Sequence, residues 1–563
     1  MARTKRLGDL EYILIVAGAG LAIGLCTSLF SLAFDYLWGA ILPVMLENRK
    51  LIFVFTMLGL TFSSVLILSF SKTRATGSGG HAVLEAYHLR DGQVDRMDTI
   101  VRPFSTLFTI GLGGAAGLEG AGLAIGGGLG SAMAGFFKFP VEKRKKAFLA
   151  GVAAGMASIF KAPLTAMLYS MEMPYKRDVA KEAYVEVAIA SVVSYLVTVT
   201  LLGPQDIFGV SLKGVAFGMA DIIPTALLGL VCGLYAHLFV SSYNLADGLA
   251  KRLSARGGAG LLLLAGGLAL GGIGYVDPDA LGIGYGIVSG LVSDGLGYAL
   301  MGIAALLLLR LLTSVVTLTF GGTGGLFIPS ALEGALLGSV FSVAVFHAIN
   351  PLYVIVGIAG MLGGTHKLLL TPVAFVAETL GPAAIVPAVI SSVLSYFVSG
   401  NQSLFPIQPY SKVKEEELAL ERIYSRISRA SPGVLAELHA SDVMTKGPVT
   451  VGSEETVADV LKKFEAVSYR VLPVVDPANR PIGLVRLEDI SRASKRHMAI
   501  KVAALFMEEP AKVPPDTHLA KVVDLTTRLG KDHILVVDPE EHLLGVIAGI
   551  DVVRKLVHYY STY

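Results

Sequence analysis

From Leu10 to about residue 408 the sequence is a succession of apolar segments, with charge gathered into a few short clusters. A helix needs about 20 apolar residues to cross a bilayer. Segments 51–70, 180–202 and 222–241 meet that length. Others, at 111–137, 147–173 and 320–346, read as short and broken by Gly or Pro, the pattern of a transporter whose site lies at mid-membrane. Only 16% of the chain is charged, against about 25% in soluble domains, so much of it belongs in lipid. The 64 glycines suit helices that approach closely there. The apolar run from Tyr12 to about Met45 exceeds the ~7–15 residues of a signal core, and we expect it to span rather than be cleaved. A net charge of +2 argues against nucleic acid as a partner. Cys26 and Cys232 lie in separate apolar stretches and suggest neither a disulfide nor a metal site.

The membrane half reads as a duplication. GLEGAGLAIGGGLG (117–130) aligns with GLFIPSALEGALLG (325–338), GVAAGMASIFKAPLT (151–165) with GIAGMLGGTHKLLLTP (357–372), and ASVVSYLV (190–197) with SSVLSYFV (391–398). Three blocks in one order predict two repeats, over about 10–202 and 213–410. The basic clusters MARTKR, EKRKK (142–146), YKR (175–177) and KRLSAR (251–256) mark the cytoplasmic side. Residues 147–173 lie between two of them, so this stretch leaves and returns on one side as two helices, broken at Lys161, Ala162 and Pro163.

Beyond residue 408 the character changes. Residues 411–439 open with SKVKEEELALERIY and predict a charged linker helix; 440–497 and 498–563 read as two soluble α/β units. LPVVDP (472–477) recurs as ILVVDP (534–539), and the interval Gly483–Asp489 as Gly545–Asp551. Each unit holds a strand, an amphipathic helix, two strands around a turn and a closing helix. Units of this size have little core alone, so the two are expected to pack together.

Glu119 is the only charged residue between Arg102 and Lys138. A carboxylate inside a membrane segment costs several kcal/mol and signals function, although a helix terminus can also hold one through its own amides. Glu333 is equally isolated, the only charge between Arg310 and Lys367. Glu172, in SMEMP, adjoins a basic cluster and reads alternatively as an interfacial carboxylate. Arg102 reads alternatively as a snorkelling arginine.

The ordered set GSG (77–79), GLEG (117–120), GGLFIP (324–329) and SLFPIQ (403–408) resembles the signature of the CLC family of chloride channels and antiporters. That resemblance implies an α-helical polytopic membrane fold with inverted repeats over residues 1–410, forming a homodimer with one pathway per subunit. It implies helix N-termini that meet at mid-membrane on a dehydrated anion. Ser78 and Gly79 would donate from one side, the amides of Leu326, Phe327 and Ile328 from another, and Phe405 would stand at the central site. Glu119 matches the family's gating glutamate, Glu172 a proton-handing glutamate of its antiporters, and Arg102 a supporting basic residue. The chain departs from the family at Gly80 and His81, at Leu118 and Ala121, at Phe405 in place of a tyrosine, and at Glu333. The implied function is exchange of chloride for protons across the plasma membrane, with the N-terminus and tail cytoplasmic and no required cofactor. A passive channel gated by Glu119 is the nearest alternative.

The tail resembles a pair of CBS domains, which implies ATP or AMP in the cleft between units, held by Asp489 or Asp551. The hydroxyl position of the ribose motif is Arg486 in one unit and Ala548 in the other, so each aspartate reads equally as a helix cap. A membrane-tethered nucleotide sensor that has lost transport is the rival from another class. No nucleophile–base pair, metal spacing or phosphate loop points to an enzyme.

Overall fold

The computed structural model describes residues 9–205, 207–209, 217–293, 300–412, 438–467, 469–487, 490, 498, 500–502, 509–527 and 533–562. The chain divides into two units, residues 1–408 and 409–563.

In the first unit the described helices fall into two sets of eight. The first set is α1 (Asp9–Glu47), α2 (Leu51–Phe70), α3 (Gly79–Leu89), α4 (Arg96–Gly111), α5 (Glu119–Phe136), α6 (Val141–Phe160), α7 (Pro163–Glu172) and α8 (Tyr184–Leu202). The second is α9 (Ile222–Ala255), α10 (Ala259–Val276), α11 (Tyr285–Ser293), α12 (Leu300–Thr319), α13 (Phe327–Phe346), α14 (Pro351–His366), α15 (Leu370–Thr379) and α16 (Ile385–Val398). Helix pairs recur between the sets. In the first, α5 packs on α6, α6 on α8 and α1 on α8; in the second, α13 packs on α14, α14 on α16 and α9 on α16. The duplication read from the sequence is therefore a duplication of the fold. Seven described helices are long and apolar enough to cross a membrane.

Local chemistry sets the helix ends. Asp95 caps α4 through the amide of Met97 at 2.9 Å, and Asn350 caps α14 through that of Leu352 at 3.0 Å, with Pro351 at the first helical position. The break expected at Lys161–Pro163 is present: α6 ends on Lys161 in the left-handed region, and α7 starts at Pro163. Its repeat mate Lys367 ends α14 in the same conformation. Two expectations are corrected. The segment 111–137 does not hold a broken helix, because α5 runs unbroken for 18 residues. The segment 320–346 is not a short, broken helix, because α13 runs unbroken for 20 residues; Gly321, Gly322, Gly324 and Gly325 form the loop that leads into it, and Gly334 and Gly338 lie within it.

Glycine governs how closely the helices pack. A methyl group on Gly126 would overlap the carbonyl of Gly151, and one on Gly334 the carbonyl of Gly357. These are the repeat-related contacts of α5 with α6 and of α13 with α14, made backbone to backbone. Between the sets, β1 (Gly77–Ser78) pairs in parallel with β2 (Thr323–Gly324). Gly117 and Gly325 form an isolated antiparallel bridge, with N–H···O distances of 3.0 and 2.8 Å. These pairings place the loops before α3, α5 and α13 side by side.

The second unit holds two small sheets. Strands β4 (Val451–Gly452), β5 (Val471–Val475) and β6 (Pro481–Arg486) form one, beside the helix Val457–Ala466. In the other, β3 (Thr445–Lys446) borders β9 (Leu543–Ala548), followed by β8 (His533–Val537) and β7 (Ala511–Val513). The lead-in segments are exchanged. Leu438, Ala440 and Val443 belong to the core of the second sheet, and Val502 to that of the first. Val471, Val475 and Leu484 also pack on Leu535 and Leu543. This is the mutual burial expected of two units too small to stand alone. The linker helix expected at 411–439 falls almost wholly outside the described residues.

Candidate anion site at opposed helix N-termini

Glu119 is the first residue of α5, and its side chain is 1% exposed. Its Oε1 accepts hydrogen bonds from the amides of Phe327 at 2.7 Å and Ile328 at 3.2 Å, at the start of α13. The carboxylate thus lies at two helix N-termini at once, its own and that of the other repeat. Each N-terminus carries about half a positive charge and unpaired amides. Hydrogen bonds to a charged group contribute roughly 1.5–3 kcal/mol each, of the order of the several kcal/mol that a membrane carboxylate costs. Oε2 has no partner among the described residues.

The glycines around it are explained by space. A methyl group on either Gly117 or Gly325 would overlap the Glu119 carboxylate, and one on Gly120 would overlap the backbone of Gly324. Gly79 packs on the backbone of Gly120, where an added Cβ would lie 2.7 Å from its carbonyl oxygen. Gly79 opens α3, so a third helix N-terminus abuts the other two. Ser78 caps it, its Oγ accepting from the amide of Gly80 at 3.3 Å. That bond uses a lone pair and leaves the hydroxyl hydrogen free to donate.

The remaining sequence-predicted residues separate into distinct roles. Phe405, 1% exposed, lies against Gly80, where an added Cβ would be 2.5 Å from its ring. Its loop is fixed by Gln408, which donates to the carbonyls of Met173 at 2.9 Å and Tyr175 at 3.1 Å. Arg102 is buried, which sets the snorkelling reading aside, and donates to Thr73 Oγ1 and the Ala75 carbonyl, both at 3.0 Å. It thereby holds the segment that leads into Gly77 and Ser78. Leu326 is buried at the same helix start, but its amide is not among those that bind Glu119. Glu333 accepts from Tyr235 Oη at 2.8 Å on Oε2, and its Oε1 has no partner among the described residues.

Glu172 has another occupation. Its carboxylate accepts from the amides of Leu369 (3.3 Å), Leu370 (2.9 Å) and Thr371 (2.7 Å), and from the Thr371 hydroxyl (2.6 Å). It is the cap of α15. Glu378, 206 residues on, caps α7 in the same way, through the amides of Leu164 and Thr165 and the Thr165 hydroxyl at 2.6–2.9 Å. Each helix carries in its last turn the carboxylate that caps the start of the other, so α7 and α15 run antiparallel, as inverted repeats require. Sequence reading missed Glu378, although the repeat offset pointed to it. In the tail, Asp551 Oδ2 accepts from the amide of Ala548 at 3.0 Å, which is the cap reading. Asp489 lies outside the described residues.

Residues 58–400 match the family described as voltage gated chloride channel. The chain belongs to that family. Residues 440–496 and 502–558 each match the CBS domain. Among curated relatives, a chloride/fluoride channel protein of Pseudomonas syringae pv. tomato is 26% identical over 67% of this chain and 85% of its own length. An H(+)/Cl(-) exchange transporter ClcA of Citrobacter koseri is 26% identical over 52% of this chain and 64% of its own. Two solved structures share the fold. A slow cyanobacterial Cl-/H+ antiporter has a TM-score of 0.60 at 18% identity, covering 69% of this chain and 94% of its own. A eukaryotic CLC transporter has a TM-score of 0.59 at 18% identity, covering 96% and 98%.

The reciprocal caps yield a prediction. Glu172→Ala and Glu378→Ala should each lower the thermal stability of the purified protein by a similar amount, about 1–3 kcal/mol for amides left unpaired. If a thermal melt shows loss in one variant only, the two carboxylates are not equivalent caps.

Proposed function

We propose that this chain moves chloride across the plasma membrane in exchange for protons, with Glu119 as the gate. One observation carries the reading: the Glu119 carboxylate rests on the Phe327 and Ile328 amides, at opposed helix N-termini. Donors that hold a buried carboxylate oxygen suit a dehydrated halide equally. Anion and ionised carboxylate therefore compete for one seat, and a proton on the carboxylate yields it to the anion. Partial dipole charges bind the ion without a full cation that would trap it. The basic clusters at 142–146, 175–177 and 251–256 support a cytoplasmic N-terminus and tail, and two copies of the chain are the expected assembly.

A passive chloride channel is the second reading. The specific observation in its favour is that Glu172 is engaged as a helix cap by four hydrogen bonds. In the exchanger reading the second proton-binding group then lies elsewhere. For the tail we propose adenine nucleotide between the CBS units near Asp551, with modulation of transport.

In liposomes containing the full chain, an imposed chloride gradient is expected to drive protons uphill. Glu119→Gln should keep chloride flux and reduce proton movement to the leak, because a neutral side chain mimics the protonated gate. Chloride flux with no proton movement in the unaltered protein would leave the channel reading. For the tail, ATP or AMP at millimolar concentration should release heat with the full chain, and Asp551→Ala should abolish it. No heat from the unaltered protein makes the tail structural.

A further inference from the structure

His366 is a buried titratable ring to which the gating scheme assigns no task. It closes α14 and is 1% exposed. Its ring makes T-shaped contacts with Phe327, centroids 5.6 Å apart, and with Phe405, centroids 5.3 Å apart. Phe327 supplies an amide that holds Glu119, and Phe405 lies against Gly80 at the start of α3. His366 thus stands between Phe327, whose amide holds Glu119, and the Phe405 ring that lies on Gly80, the residue after Ser78 and Gly79.

Its repeat mate is Phe160, 206 residues earlier. Phe160 packs on the same Phe327 ring from the other repeat, at 5.1 Å. Packing alone is met by phenylalanine on that side, whereas on this side the ring is an imidazole.

The hydrogen-bond network assigns its protons. Thr365 Oγ1 lies 2.6 Å from the Met361 carbonyl, which can only accept, so the single hydroxyl hydrogen goes there. Thr365 Oγ1 also lies 2.9 Å from His366 Nδ1, so that nitrogen must be the donor. A neutral His366 then carries its lone pair on Nε2, and Nε2 has no partner among the described residues. A bare lone pair repels an anion. With a proton from solvent, the same atom becomes a charged donor.

We propose that His366 Nε2 is a proton-binding site on the anion pathway and, once protonated, the side-chain donor to chloride that Phe405 cannot supply. The proposal rests on the exchanger reading above. It makes proton and chloride bind together at this point, each raising the affinity for the other by the same factor. The charged and titratable groups around it have other commitments. Lys367 donates to the Tyr396 carbonyl and Ser399. His81, across the Phe405 ring, is bonded through Nε2 to the Leu404 carbonyl. Glu172 caps α15, Tyr169 makes a T-shaped contact with Phe327 at 5.5 Å between centroids, and Glu119 lies on the Phe327 amide.

The test is chloride titration calorimetry on the full chain carrying Glu119→Gln, which removes the gate's own competition with chloride. Between about pH 7.5 and about pH 4.5, a range that spans ordinary imidazole titration, chloride affinity should rise roughly tenfold. Repeating the titration in buffers of different ionisation heat should count protons taken up with each chloride, a measurement that needs no second variant. Adding His366→Phe, the side chain of the repeat mate, should remove both the pH dependence and the proton uptake while chloride still binds. Chloride binding without pH dependence or proton uptake overturns this inference alone. A pH dependence that survives His366→Phe also overturns it and points to His81. Absence of chloride binding at every pH overturns both this inference and the exchanger reading.

Discussion

The fold is organised around the close approach of helix N-termini from two halves of one chain. Placing the starts of α3, α5 and α13 together concentrates positive dipole ends and unpaired amides where neither water nor lipid can satisfy them. Such an arrangement needs an anion at its centre, and Glu119 supplies one from within the chain. The glycine spacing follows from that requirement. Side chains at Gly117, Gly120 or Gly325 would keep the loops apart or displace the carboxylate. The Gly117–Gly325 bridge and the β1–β2 pair then tie the loops through backbone, which fixes the position of the amides that hold Glu119.

Duplication supplies the frame, and departures from it supply the function. Glu172 and Glu378 are equivalent by position and by task, each holding the start of the helix that carries the other. The contacts of Gly126 with Gly151 and of Gly334 with Gly357 are likewise equivalent. At the centre the symmetry fails. Glu119 aligns with Phe327, so one repeat contributes the acid and the other the amides that receive it. Phe160 aligns with His366, so one repeat contributes a closed apolar wall and the other a titratable one. A symmetric seat could bind an anion; in the proposed exchange, a single acid on one side gives the competition a direction.

Much of this was legible in the sequence. The order of three repeated blocks announced the duplicated helices, and a lone glutamate among glycines pointed to the buried carboxylate at the helix N-termini. These are signals of composition and spacing, which one chain carries openly. The role of Glu172 was not legible, because a carboxylate that caps a distant helix and one that hands on protons look alike from their neighbours. Only the placement of Leu369, Leu370 and Thr371 distinguishes them. His366 lies within a repeat block but carries no local signal, because its surroundings are made by Thr365, Met361, Phe327 and Phe405, which no sequence pattern joins. For Asp551 the sequence allows a cap or a nucleotide contact, and the bond to the Ala548 amide is that of a cap.

The central claim is that carboxylate and anion share one seat. It is tested most directly by anomalous diffraction from crystals grown with bromide in place of chloride. In Glu119→Gln, where residue 119 can no longer be an anion, a bromide peak should lie within hydrogen-bond reach of the Phe327 and Ile328 amides, with the glutamine turned away. In the unaltered protein at neutral pH that peak should be absent and the Glu119 carboxylate in its place. A bromide bound elsewhere in Glu119→Gln, with residue 119 still on those two amides, would contradict the account.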